Sequence, residues 1–208
     1  MKDYYSRGLR AEIVQMIPPG CKTVLDVGCG NGVLGEYLKK NGVERVAGIE
    51  IAEKAARNAS SVLDEVLTGN IESMDLPFDH KSFDCVVCAD VLEHLVDPWC
   101  VIGKLKKLVK PGGCIVASIP NIGFHRVVRN LLKGQWRYED AGVLDRTHLR
   151  FFTLEGIKEL FEVNSMKIEE IHRKIDSGAN MKILNFLLGN SLKESLIIQY
   201  VVRARVAI

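Results

Sequence analysis

Between residues 22 and 119 short apolar runs alternate with amphipathic ones, at a spacing that leaves few folds open. Residues 22–27 (KTVLDV) read as a strand that runs into glycines, and 32–40 as a helix closed by Asn41-Gly42. Residues 44–49 form a second strand, 52–60 a helix and 62–67 a short third strand. Residues 83–89 (FDCVVCA) are almost continuously apolar, the pattern of a strand covered on both faces. An amphipathic helix over 98–109 stops at Lys110-Pro111-Gly112-Gly113, and 114–119 is a fifth strand. Strand and helix alternating in this way need crossover connections. The expected class is therefore α/β, a mostly parallel sheet with helices on both faces. Ligands in such sheets bind beyond the carboxyl ends of the strands, so function belongs in the loops after residues 27, 50, 69, 89 and 119.

Residues 24–32 (VLDVGCGNG) are the most informative of these loops. Gly28, Gly30 and Gly32 allow positive φ and close approach of a ligand to the backbone, and the helix that follows presents free N–H groups. A dinucleotide turn would be spaced G-x-G-x-x-G, whereas here the third glycine comes one residue early and Val33 takes its place. Asp26 stands just before the turn, where a pyrophosphate would be repelled and a sulfonium carrying an ammonium group tolerated. Glu50, at the end of the second strand, is placed to accept hydrogen bonds from both hydroxyls of a ribose; the plain alternative is a solvated charge at a helix start.

The ordered series VLDVGCGNG, GIE, LPF, SFDCVVCADVLEHL and VKPGG resembles the class I S-adenosylmethionine-dependent methyltransferases over about residues 22–120. The later NIGFHRVVRNLLKGQW and DRTHLRFFT resemble, more loosely, the bacterial MetW-like and type 11–12 methyltransferases. The resemblance implies a Rossmann-like seven-stranded sheet whose last strand is antiparallel and lies between the fifth and sixth; 166–175 and 195–207 fit the final pair. It implies S-adenosylmethionine as cofactor and S-adenosylhomocysteine as product. The turn of Asp26, Gly28, Cys29 and Gly30 would hold the methionine part, Glu50 the ribose and Ile51 the adenine face. Asn70 and Ile71 would meet the adenine edge, and Ala89 and Asp90 complete the set. The family often has Asp where Asn70 stands; Asn keeps a carbonyl acceptor for the adenine amino group.

Methyl transfer to a hydroxyl needs alignment, exclusion of water and a base. Asp90, Glu93 and His94 would share one face of a helix start, with His94 as the base; a divalent ion there is the weaker reading, and no metal is expected. His148 is the second catalytic candidate. Asn121, His125, Arg146 and the N-terminal Tyr5 are candidates for the acceptor side. Against this stand structural readings: hydrogen-bonding groups at a turn, and a salt-bridge knot anchoring the long insertion 121–150. His125, Arg126, Arg129, Lys133 and Arg137 interleave with apolar residues as an amphipathic helix with a cationic face. Such a face suits an anionic acceptor or a membrane surface, and a solvated helix face is the slightly favoured alternative. The MKILNFLL stretch, 181–188, is open between lid, lipid contact and dimer seam.

A chain of 208 residues fits one domain over 1–208, with 1–20 as an N-terminal helix or lid and 121–150 as an acceptor-side cap. Formal net charge is +2, too little to point to nucleic acid. Nothing resembles a signal peptide or a span of about 18 apolar residues, so a cytoplasmic protein, monomer or homodimer, is expected. Cys85 and Cys88 form a CxxC inside a strand, where they point to opposite faces rather than to a shared metal. The functional expectation is O-methylation of a small molecule such as a glycan or lipid-linked precursor. The alternative is a cofactor-binding accessory protein with little or no turnover.

Overall fold

A computed structural model describes residues 8–176 and 178–206. Seven strands form one sheet in the order β3-β2-β1-β4-β5-β7-β6. The first five, β1 (Thr23–Val27), β2 (Arg45–Glu50), β3 (Glu65–Thr68), β4 (Phe83–Ala89) and β5 (Val109–Pro120), are mutually parallel. β6 (Met166–Ile175) and β7 (Ile197–Val206) follow, and β7 runs antiparallel between β5 and β6. This is the Rossmann-like arrangement expected from the motifs.

Alternation along the strands sorts residues into two cores. Leu25, Val27, Val86, Cys88, Ile115 and Ala117 face α4 (Pro98–Lys106) and α6 (Leu154–Glu162), where Ile102, Leu105, Leu160 and Phe161 cover them. Val24, Val46, Cys85, Val87, Cys114 and Val116 face α1 (Ala11–Met16), α2 (Val33–Lys40) and α3 (Glu53–Ala59). Cys85 and Cys88 therefore sit in opposite cores, as period-two geometry requires, and the six cysteines are free thiols. β4 lies between β1 and β5 with both faces covered, which explains its unbroken apolar sequence.

Three boundaries differ from the sequence expectation. α4 ends at Lys106 rather than 109, because the Leu108 carbonyl turns to accept from Ser82 and Phe83 and Val109 already pairs with Phe83. The Pro-Gly-Gly that follows belongs to a register shift: a Cβ on Gly113 would stand 2.7 Å from the Asp84 carbonyl. β3 begins only at Glu65, since Val62 and Leu63 still donate to the Ala59 carbonyl at the end of α3. Two helix starts carry side-chain caps: Asp97 accepts from Cys100 N–H ahead of Pro98, and Thr153 from Gly156 N–H.

The insertion after β5 contains α5 (His125–Leu131) and returns through an isolated bridge between Glu139 and Asp145. Phe124, Val127, Val143 and Leu144 form its own small core over the carboxyl end of the sheet, next to Ile198. α7 (Ala179–Leu187) joins β6 to β7 through a short turn at Lys193–Leu196.

Candidate active site

The glycine turn sits where the strand order reverses. Gly28, Gly30 and Gly32 all have left-handed φ, +72°, +53° and +79°. Gly28 N–H and Cys29 N–H donate to the Ile49 carbonyl, which fastens the turn to the end of β2. Glu50 is buried there. One carboxylate oxygen accepts from Gly30 N–H at 2.8 Å and the other from Ala52 N–H at 2.9 Å. A cavity of about 500 Å³ opens over this arrangement, lined among others by Gly28, Glu50, Ile51, Asn70, Ile71 and Asp90. Six of the residues expected to bind a cofactor thus share one concave surface.

The other members of that set lie beneath or beside it. Asp26 is buried under the turn with no ion-pair partner among the described residues, and burial together with the Glu50 charge pushes its pKa up to about 7. The Cys29 side chain packs inward against Gly48, leaving only its backbone at the turn. Ala89 packs on the sheet core rather than on the cavity wall. Asn70 turns its carbonyl oxygen to Glu72 N–H, so one of the two lone pairs offered to an adenine amino group is already engaged.

Asp90 has left-handed φ, +57°, and begins a 3₁₀ turn, Leu92–His94, where a helix start was expected. The Asp90 carboxylate accepts from Arg10, from Ser118 Oγ at 2.8 Å and from Gln199 Nε2 at 2.6 Å. Asp90 and His94 line the first cavity and also a second of about 310 Å³, which adds Glu93, Asp145, His148, Lys174 and Gln199. These two residues form the partition between the cavities.

His94 and His148 meet edge to face with ring centroids 4.8 Å apart. His94 Nδ1 lies 3.2 Å from the Thr147 carbonyl and His148 Nδ1 3.1 Å from the Val143 carbonyl. A carbonyl only accepts, so each ring donates from Nδ1, and in the neutral form each keeps Nε2 as a free lone pair. Glu93, 1% exposed, has both carboxylate oxygens buried without a hydrogen-bond partner among the described residues. Burial, and then the Asp90 charge, push its pKa up to about 8. One ligand atom each from Glu93, His94 and His148 falls within 4.8 Å of the other two. The cluster has the donor set to take a proton or to hold a divalent cation.

The acceptor-side candidates are more scattered. Asn121 is buried and donates to the Glu194 and Ile197 carbonyls, tying β5 to the turn before β7. His125 faces the Ser195 carbonyl at 3.3 Å. Arg146 is paired with Asp140 on the surface and lines neither cavity. Tyr5, with Tyr4 and Arg7, lies outside the described residues. Sequence reasoning passed over the polar cavity residues Thr147, Lys174 and Gln199, and Arg10, which pairs with the Asp90 carboxylate between the cavities. They reach the site from four separate segments and carry no local signal.

A glycine cradle open to solvent, an exposed isoleucine at its rim and a buried carboxylate without a counter-cation among the described residues match a nucleoside attached to a cationic amino acid. A Cβ on Gly30 would meet nothing within 4 Å, and Ile51 is 67% exposed. A profile described as a methyltransferase domain matches residues 1–170. The chain belongs to the S-adenosylmethionine-dependent methyltransferase family. A curated relative from Albidiferax ferrireducens, named ubiquinone biosynthesis O-methyltransferase, is 38% identical over 120 residues, 54% of this chain and 47% of its own. The chain spans about half the length of the curated relatives it matches. An S-adenosylmethionine-dependent methyltransferase from Archaeoglobus fulgidus superposes with a TM-score of 0.68 at 21% identity, covering 98% of this chain and 94% of that one. A [4+2]-cyclase superposes almost as well, with a TM-score of 0.65 at 15% identity over 95% and 80%. At that identity the likeness is one of fold, which by itself carries no reaction. The methyltransferase cofactor is S-adenosylmethionine; Gly28, Gly30, Glu50 and Ile51 would hold it.

Proposed function

We propose that the protein methylates a hydroxyl oxygen of a small-molecule acceptor seated in the second cavity. The observation that carries this reading is the shared wall: Asp90 and His94 border both cavities, so an acceptor in one faces a donor in the other. S-adenosylmethionine supplies an activated methyl group. The chain's own residues must align the oxygen in line with it, keep water out and take the hydroxyl proton. His94 and His148 are the proposed bases, each with its Nδ1 fixed by a backbone carbonyl and Nε2 free to accept. The name shared by the curated relatives supports an oxygen acceptor on a ring-bearing small molecule. Glycan and lipid-linked hydroxyls are the other members of the proposed class.

The test is incubation with methyl-labelled S-adenosylmethionine and a panel of phenolic, sugar and lipid-linked acceptors. Label appears in a hydroxyl acceptor if the reading holds. His94→Ala and His148→Ala then lower kcat by roughly 10²–10⁴-fold while S-adenosylhomocysteine still binds. Cofactor binding with no acceptor labelled would favour an accessory role instead.

The convergence of Glu93, His94 and His148 supports one second reading, in which the trio holds a divalent ion that activates the acceptor oxygen. The carbonyls that accept from both Nδ1 atoms match the hydrogen bonds that orient metal-binding histidines. Chelation separates the two: turnover lost with chelator and restored by magnesium assigns the metal, and turnover indifferent to chelator assigns the base.

A further inference from the structure

The insertion after β5 holds a surface that methyl transfer does not use. Residues 125–138 (HRVVRNLLKGQWRY) contain four Arg or Lys and no Asp or Glu, in a chain whose formal charge is only +2. α5 buries Val127 in the small core and leaves Val128, Leu131 and Leu132 exposed, Leu132 at 84%. Exposed Trp136 and Tyr138 follow, packed edge to face on each other. Among the described residues Arg126, Arg129, Lys133 and Arg137 form no ion pair with a carboxylate. A solvated helix face would not expose this much aliphatic surface.

A second apolar surface comes from elsewhere in the chain. α7 and the turn after it expose Ile183, Phe186, Leu187 and Leu188, with Phe186 at 74%. Both helices are tied to the 192–196 segment. Leu192 N–H donates to Asn185 Oδ1 of α7, and the Ser195 carbonyl lies 3.3 Å from His125 Nδ1 at the start of α5. The fold thus gathers two exposed apolar helices around one short turn.

We propose that this face docks the protein on an anionic lipid bilayer. Aliphatic side chains that enter the acyl boundary, Trp and Tyr at headgroup depth and cations without a carboxylate partner among the described residues are the three elements of interfacial binding. A second copy of the chain is a poorer occupant, because a two-fold contact would oppose two acid-free cationic segments. The inference goes beyond the methyl-transfer reading and is independent of it, since docking needs no turnover.

The experiment is co-sedimentation of the full chain with vesicles of phosphatidylglycerol and phosphatidylcholine, against phosphatidylcholine alone. Expected is partitioning onto the anionic vesicles that weakens as salt rises. Arg126→Gln with Arg129→Gln reduces it by about fivefold for each charge, about twenty-fivefold together. Leu131→Ser with Leu132→Ser, and separately Phe186→Ser with Leu187→Ser, also reduce it, while S-adenosylhomocysteine affinity and circular dichroism stay unchanged. Absence of binding at low salt, equal binding to neutral vesicles, or indifference to both apolar variants overturns the proposal. So does a concentration-dependent dimer that these leucine changes abolish in a protein that ignores vesicles.

Discussion

Asp26 carries the clearest consequence at the scale of single residues. Its carboxyl has an ordinary value of 3.8 and is pushed up to about 7 in the fold by burial and the Glu50 charge. Between those values the unfolded chain has lost the proton and the folded protein keeps it, so stability falls as pH rises from about 4 to about 7 and is flat above. The slope from this group approaches 1.4 kcal/mol per pH unit, and Asp26→Asn removes it in urea unfolding of the ligand-free protein. The ligand's ammonium group favours the ionised form, so S-adenosylhomocysteine should bind more tightly as pH rises toward 7, and that trend should vanish in Asp26→Asn. Calorimetry at a series of pH values reads it; a variant with the parent's pH dependence would remove Asp26 from the site. Glu50→Ala should weaken S-adenosylhomocysteine binding by roughly 1.5–3 kcal/mol, as for hydrogen bonds to a charged group. An unchanged dissociation constant would place Glu50 outside the ligand's reach. Gly28→Ala faces two obstacles, φ of +72° and a Cβ 2.6 Å from Val91 Cγ2. It should cost about 1–3 kcal/mol of stability, measured by denaturant titration, and should reshape the cavity wall.

At the scale of elements, α4 and the insertion behave differently. α4 is held by its cap and its buried face, so Asp97→Ala should lower stability by about 1 kcal/mol with S-adenosylhomocysteine affinity unchanged. The small core of the insertion is closed at its ends, by Phe124 and Val127 on one side and Val143 and Leu144 on the other, while residues 131–142 are exposed and are held by the Glu139–Asp145 bridge and the Trp136–Phe151 contact. Amide exchange should therefore be fast across 136–138 and slower at Val127 and His148, whose N–H groups donate to the Phe124 and Asp145 carbonyls. Leu144→Ala loosens the anchor that carries the Val143 carbonyl and, through it, the His148 ring. Its expected signature is loss of turnover with cofactor affinity preserved. A drop in both would mean that the insertion supports the cofactor cavity as well.

The described residues form one sheet with a core on each face and the cofactor and acceptor cavities at its carboxyl edge, and ligand linkage should be visible globally. S-adenosylhomocysteine at a hundred times its dissociation constant should add about 2.7 kcal/mol to stability, with a matching rise in Tm. NAD should add nothing, because a pyrophosphate at the turn would face Glu50 and Asp26. A larger shift with NAD than with S-adenosylhomocysteine would contradict the assignment of the turn. Among the described residues no helix is long and apolar enough to cross a membrane. Any lipid contact would therefore be made from the surface.

What could be read without coordinates was whatever depends on neighbours along the chain. Period-two and period-3.6 patterns located strands and helices, and Gly28, Gly30 and Glu50 follow one another within a single strand–turn–helix–strand unit, so their meeting is a local event. The order β5-β7-β6 was reached through resemblance to a known family, since nothing in the β6 or β7 sequences names their partners. The second cavity was only half legible. His94 and His148 were recognisable as reactive residue types, but their contact spans 54 positions and depends on the insertion folding back so that Leu149 and Arg150 donate to the Glu93 carbonyl. Lys174 and Gln199 reach the same place from β6 and β7, and Arg10, from the N-terminal segment, pairs with the Asp90 and Gln199 that line it. Asn121 and Arg146 were chosen for their chemistry and are engaged in anchoring and surface pairing, because a polar side chain meets whichever partner the backbone brings within hydrogen-bond reach. Local sequence determined the cofactor turn, where short-range backbone geometry suffices; the tertiary structure alone decided the composition of the second cavity, because packing of distant segments selects which side chains converge.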